Sequence, residues 1–234
     1  MRRIAFFGGS FDPPHRGHLA LARAAADRFA LDEVLFAPVG RQPLKASAST
    51  TSFLHRYAMT ALATQADARF VPSLIDAPQQ SGVAEVAKAA PNYTVDTLRR
   101  LRHCLFAAEG PVHLVALLGA DSWLEIARWY RAAELLATCD WIVAARPGFD
   151  LGRAAQAVPS EVIVTRGNDG EYDLLLAHSD GATTRVWFLP DLDESISATD
   201  LRGSLRNAEA NTGIAAVEEY VRKAGLYTGA ARDV

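Results

Sequence analysis

Two histidines stand three residues apart in the segment Gly8-Gly9-Ser10-Phe11-Asp12-Pro13-Pro14-His15-Arg16-Gly17-His18. At the start of a helix that spacing puts both imidazoles on one face, beside the unpaired N–H groups of the first turn. Imidazole donors and a helix N-terminus together make a site for phosphate. The glycine pair lets backbone approach a ligand closely, and Pro13-Pro14 stiffens the loop. The segment is neither G-x-G-x-x-G nor G-x-x-x-x-G-K-[ST], so two familiar nucleotide loops fail at the residues themselves. Two satisfied surface residues or a metal pair are the alternatives for His15 and His18, and for metal His55, His103, His113 and His178 offer no companion spacing for further ligands. Asp12 suits acceptance of backbone N–H bonds within the loop, with a direct metal role as the alternative.

A second segment with chemical potential is Ile196-Ser197-Ala198-Thr199-Asp200-Leu201-Arg202. Ser197 as N-cap, Asp200 at N3 and Ile196 packed on Leu201 form a capping box with a hydrophobic staple. Arg202, one turn in, sets a cation against the positive end of the helix dipole. An incoming polyphosphate would resolve that mismatch. No Ser/His/Asp arrangement for nucleophilic catalysis stands out.

These residues need a scaffold, and the chain alternates strand and helix patterns. Arg3–Phe7 reads as a strand buried on both faces, followed by helical periodicity from Gly17 to Ala30 and a second buried strand, Val34–Val39. The alternation continues through a helix Thr51–Thr64, a strand Arg69–Leu74, a polar loop to Ala90, a helix Thr94–Leu105 and a strand Val112–Leu118. Helical segments Trp123–Ala127 and Ala132–Ala137 precede a strand Trp141–Ala145. The pattern predicts an α/β, Rossmann-like, doubly wound and mainly parallel sheet with helices on both faces. Residues 161–189 break the rhythm and read as a β hairpin or meander inserted late, with strands Val162–Thr165, Tyr172–Ala177 and Arg185–Leu189. Helices Ala198–Asn207 and Ile214–Ala224 close a small C-terminal helical part over 197–227, the second stopped by Gly225. A single domain over 1–234 is expected.

Composition agrees. The 234 residues are 50% apolar and 22% charged, which excludes disordered and low-complexity classes. Twenty-four Lys+Arg against 27 Asp+Glu leave a net charge of −3, a poor field for duplex nucleic acid. Cys104 and Cys139 sit in apolar stretches and read as buried thiols of a reducing compartment. The first apolar run stops at Gly8-Gly9, too short for an export signal, and no run approaches the ~18 residues of a membrane span. A soluble, cytoplasmic protein without nucleic-acid or membrane partners is expected.

The first motif resembles G-G-[ST]-F-D-P-x-H-x-G-H, the signature of the H-x-G-H nucleotidyltransferase superfamily, and is most similar to that of the nicotinate-nucleotide adenylyltransferases. Further segments agree in order from Ile4 to Tyr227: Pro91-Asn92-Tyr93-Thr94-Val95-Asp96-Thr97-Leu98, Gly119-Ala120-Asp121-Ser122, Trp129, Arg146-Pro147-Gly148 and Ile196–Arg202. Asn92 and Ala198 stand where the family pattern has serine. The resemblance implies direct attack of the phosphate of nicotinate mononucleotide on the α-phosphorus of ATP, releasing pyrophosphate. His15, His18 and Arg202 would be catalytic. Gly8, Gly9, Ser10, Phe11, His18, Lys45, Gly119, Asp121, Ile196, Ser197, Thr199 and Arg202 would hold ATP. Ser10, Tyr93, Thr94, Trp129 and Arg146 would hold the mononucleotide, Trp129 by stacking on the pyridinium ring. Mg²⁺ is implied, carried mainly by the ATP phosphates, with no dedicated protein metal site. The helix opening at Asn92-Tyr93-Thr94 favours a ring carboxylate over its amide. The amide nucleotide, phosphopantetheine and a silent nucleotide sensor are the alternatives, and oligomeric state, a homo-oligomer included, is left open.

Overall fold

A computed structural model describes residues 1–41, 51–78, 91–145, 150–167, 173–189 and 212–228 of the chain. Eight strands form one sheet in the order β3-β2-β1-β4-β5-β8-β7-β6. They are β1 (Arg3–Gly9), β2 (Glu33–Pro38), β3 (Phe70–Pro72), β4 (His113–Gly119), β5 (Asp140–Ala144), β6 (Ile163–Arg166), β7 (Leu174–Ala177) and β8 (Thr183–Leu189). The pairings from β3 across to β8 are all parallel, and β7 alone among the described strands runs against the rest.

The apolar runs of the central strands follow from cover on both faces. Along β1, Ile4 and Phe6 point to one side and Ala5 and Phe7 to the other, and all four are buried. Ile4 and Phe6 join a core with Leu98, Leu118, Trp123 and Trp141. That side is covered by α3 (Thr94–Glu109), the single turn α4 (Ala120–Trp123), α5 (Ala132–Leu136) and α6 (Leu151–Gln156). Ala5 and Phe7 join Phe11, Phe36 and Leu117 beneath α1 (Arg16–Phe29), whose Leu21, Ala22, Ala25 and Ala26 form the buried stripe. A smaller cluster joins Met59 and Ala63 of α2 (Phe53–Thr64) to Val217 and Val221 of α7 (Ala215–Ala224). Gly225 ends α7 in the left-handed conformation, φ 64°, where a glycine pays no Cβ penalty.

The strand order leaves β1 in two directions, toward β2 and toward β4. Such a switch point opens a crevice at the carboxyl ends of the strands, where open α/β sheets bind ligands. The His15–His18 loop follows β1 and the Gly119–Asp121 turn follows β4, so both motifs meet there.

The α/β architecture agrees with the sequence reading, and the differences have physical reasons. Strands β6 to β8 do form a meander, but it continues the main sheet: β8 pairs in parallel with β5, Trp141 opposite Val186. The one-turn helices α4 and α6 are too short for periodicity to reveal. α6 is held instead by its Asp150 cap, whose Oδ1 accepts from Gly152 N–H at 2.7 Å, and by Trp123 Nε1–H donating to Ala154 O at 3.0 Å. Cys104 is exposed, not buried, because α3 turns Leu98 and Leu101 to the core and leaves position 104 on its outer face; Cys139 is buried, and both are free thiols. The expected helix Ala198–Asn207 lies outside the described residues. Among the described residues no helix is long and apolar enough to cross a membrane.

Candidate functional site

A cavity of about 680 Å³ occupies the switch-point crevice. Gly8, Gly9, Ser10, His15 and His18 form one wall of it, and Gly119, Asp121 and Ser122 another. Tyr93, Thr94, Trp129 and Tyr130 line it at the start of α3.

His15 is the N-cap of α1 in extended conformation, and its backbone N–H donates to His18 Nδ1 at 3.2 Å. A ring nitrogen that accepts a hydrogen bond carries no proton, so neutral His18 is protonated at Nε2 and is a donor there. The two rings lie 3.7 Å apart between centroids, and Phe11 meets His18 edge-on at 5.0 Å. Burial lowers the His15 pKa to about 4, and burial together with the neighbouring His15 holds His18 well below the usual imidazole range. Both rings are therefore neutral at pH 7. Nδ1 of His15 is buried without a hydrogen-bond partner among the described residues.

The loop that presents these rings is held from behind. Asp12, only 1% exposed, accepts from Thr51 N–H at 3.2 Å and from the hydroxyl of Tyr227, just past α7. Buried Arg56 of α2 donates to three carbonyls: Ser10 at 2.9 Å, Thr51 at 2.9 Å and Gly40 at 3.3 Å. Burial pulls its pKa down, while the charges of Asp12 and Tyr227 oppose that shift.

At the opposite end, Tyr93 caps α3 without a side-chain cap bond. The carbonyl of Tyr93 takes the N–H groups of Asp96 and Thr97, and those of Thr94 and Val95 have no partner among the described residues. The rings of Tyr93 and Tyr130 stack at 4.1 Å and 31°. Trp129 packs partly on the core beside them.

Residues 6–204 match the cytidylyltransferase-like family. A protein of Moorella thermoacetica named as a probable nicotinate-nucleotide adenylyltransferase is 36% identical over 228 residues, 96% of this chain and 91% of the relative. One of Chromobacterium violaceum with the same name is 38% identical over 227 residues, 96% of this chain and 98% of the relative. The chain belongs to the nicotinate-nucleotide adenylyltransferase family. The fold is shared with the Plasmodium falciparum nicotinic acid mononucleotide adenylyltransferase complexed with NaAD, at TM-score 0.66 and 17% identity, covering 97% of this chain and 98% of that one.

For this member of the nicotinate-nucleotide adenylyltransferase family, the cavity brings together Gly8, Gly9, Ser10, His15, His18, Tyr93, Thr94, Gly119, Asp121 and Trp129 of the expected site. Phe11 is not on the cavity wall: its ring is fully buried and packs under His18. Lys45, Arg146, Ile196, Ser197, Thr199 and Arg202 lie outside the described residues. Sequence reasoning passed over Arg56, Asp76, Tyr130 and Tyr227. The only signal for Arg56 was a lone cation at a core-facing position of α2, where Thr60, Ala63 and Thr64 are also buried. Asp76 sits in a polar stretch that carries no pattern, yet it is buried against Thr97 at 2.6 Å.

Proposed function

We propose that the protein transfers the adenylyl group of ATP to nicotinate mononucleotide, giving nicotinate adenine dinucleotide and pyrophosphate. The observation that carries this reading is the His15 N–H bond to His18 Nδ1, which leaves His18 a neutral Nε2–H donor beside the Gly8–Ser10 loop. The mononucleotide phosphate attacks the α-phosphorus, a new P–O bond forms and the bond to pyrophosphate breaks. No protein nucleophile takes part. Catalysis then rests on aligning two anions and stabilising charge on the α-phosphoryl oxygens.

His18 donates to an α-phosphate oxygen, and His15 and Ser10 orient that group. Backbone of Gly8 and Gly9 approaches the nucleotide, and Asp121 accepts from a ribose hydroxyl beside Gly119. Lys45, Ile196, Ser197, Thr199 and Arg202 contribute the triphosphate contacts, on the strength of the family motifs. Ser122 puts a hydroxyl oxygen on the cavity wall, which suits a hard cation carried mainly by the ATP phosphates and water. When bound, Mg²⁺ would supply charge neutralisation on the phosphates.

The pyridine ring sits against Trp129 and the Tyr93–Tyr130 pair, and its carboxylate takes the open N–H groups of Thr94 and Val95, with Arg146 adding charge. The free thiols of Cys104 and Cys139 support a reducing, cytoplasmic setting. The deciding experiment measures pyrophosphate release from Mg-ATP with nicotinate mononucleotide, its amide analogue and phosphopantetheine in parallel. A strong preference for the acid is expected. Equal use of the amide would remove the carboxylate site, and no release with any acceptor would overturn the reaction.

A further inference from the structure

Oδ1 of Asp76, in the loop after β3, accepts from three side chains of the α3 region: Thr97 Oγ1 at 2.6 Å, Arg100 Nη2 at 3.2 Å and Asn92 Nδ2 at 3.4 Å. A buried carboxylate beside a helix N-terminus would ordinarily cap the open amides. Here it grips side chains at both ends of the first two turns and leaves the Thr94 and Val95 N–H groups unpartnered among the described residues. Asn92 reaches the other way as well. Its Oδ1 accepts from Arg41 N–H at 2.9 Å, and its own N–H donates to Arg41 O at 3.0 Å. Gly40, next in line, is pressed so closely that an added Cβ would lie 2.4 Å from Asp76 O and 2.7 Å from Asn92 Oδ1. Gly40 O is in turn held by Arg56, which also holds Ser10 O.

These contacts make one unbroken connection from the phosphate loop at Ser10 through Arg56, Gly40–Arg41 and Asn92 to Asp76 and the start of α3. The two ends of a mononucleotide, phosphate and ring carboxylate, are read at the two ends of that connection. We infer that Asn92 and Asp76 form a strut that fixes the carboxylate-reading end of α3 relative to the phosphate loop. They are thus positioning residues for discrimination of a pyridine carboxylate from its amide. The inference rests on the proposed reaction. Asn92 occupies a place where the family pattern has serine, whose shorter side chain cannot span from Arg41 N–H to Asp76 at once.

The test compares wild type with Asn92→Ala and Asp76→Asn, measuring kcat and KM separately for nicotinate mononucleotide, its amide analogue and ATP. KM for the acid should rise about tenfold, a loss of the size expected when an anion contact is misplaced. The amide and ATP constants should move by less than about threefold, and kcat should fall less than the acid KM rises. Asn92→Gln, which can restore the bridge with a longer amide, should recover part of the acid preference. If Asp76→Asn does not fold, the two Asn92 variants decide alone. Acid and amide KM rising together, or neither moving in folded Asn92→Ala, would overturn the strut. Failure of the reaction itself would show separately, as wild type without acid preference or without pyrophosphate release.

Discussion

The hydroxyl of Tyr227 donates to Oδ1 of Asp12, joining the chain just past α7 to the loop after β1. Asp12 is buried and its other oxygen takes Thr51 N–H, so losing the hydroxyl removes a charge-assisted hydrogen bond from a buried carboxylate. Tyr227→Phe should lower stability by about 1.5–3 kcal/mol, the range for hydrogen bonds to charged groups. Denaturant unfolding monitored at pH 7 measures it, and an unchanged midpoint would show that the loop is held without α7.

Removing the donor of His18 should cost far more rate than binding. For His18→Ala, kcat is expected to fall about 10²–10³-fold, as for other single donors to a developing oxyanion. The KM values should stay within about fivefold. A kcat within about threefold of wild type in single-turnover measurements would remove His18 from the chemistry.

Burial holds His15 at about 4, whereas an unfolded imidazole titrates near about 6.5. Between those values the unfolded chain binds more protons. The stability contributed by neutral His15 is therefore complete above pH 6.5 and lost as pH falls toward 4, by about 2–3 kcal/mol at pH 4.5. Urea titrations of wild type and His15→Gln at pH 7 and 4.5 isolate it. The variant should lose less stability on acidification than wild type does, and equal losses would refute the assignment.

Arg56, itself buried, donates to three half-buried carbonyls in three different segments. Arg56→Met should destabilise the fold by about 3–5 kcal/mol, because it removes the donor to those carbonyls and a cation that interacts with buried Asp12. Arg56→Lys recovers only part, since an ammonium cannot reproduce the planar fork. Thermal unfolding of the three proteins ranks them, and a lysine variant as stable as wild type would contradict the geometry.

Thr94 is the first residue of α3 and Tyr93 before it is extended, φ −97° and ψ 128°. Both conditions admit proline at 94, which deletes one open N–H while keeping the helix. Thr94→Pro should raise KM for nicotinate mononucleotide about tenfold and leave the amide nearly unaffected, with Thr94→Ala as the control for the side chain. Steady-state rates with both acceptors measure this. Parallel changes for acid and amide would place the ring carboxylate elsewhere.

Much of the site was legible because its parts are local. The His15–His18 spacing, the glycines after β1, and the Tyr93-Thr94 helix start each lie within one turn or loop, where backbone geometry follows from the residues themselves. The same holds for β1, β2 and β4, whose unbroken apolar runs announce strands covered on both faces. Short elements escaped, since α4 and α6 are too brief to show a period, and the outward turn of Cys104 depended on which stripe of α3 met the sheet.

By itself, the sequence determined the alternation of strands and helices, the phosphate-suited loop after the first strand, and the family motifs strung along the chain in order. Tertiary structure alone decided that the carboxyl ends of β1 and β4 share one crevice. It also decided that Arg56 reaches Ser10, that Asp76 bridges Asn92 and Thr97, and that Tyr227 closes on Asp12. Those partners are 16 to 215 residues apart. Local propensity carries no record of such pairs, because they form only after burial of the two sheet faces has set the elements side by side.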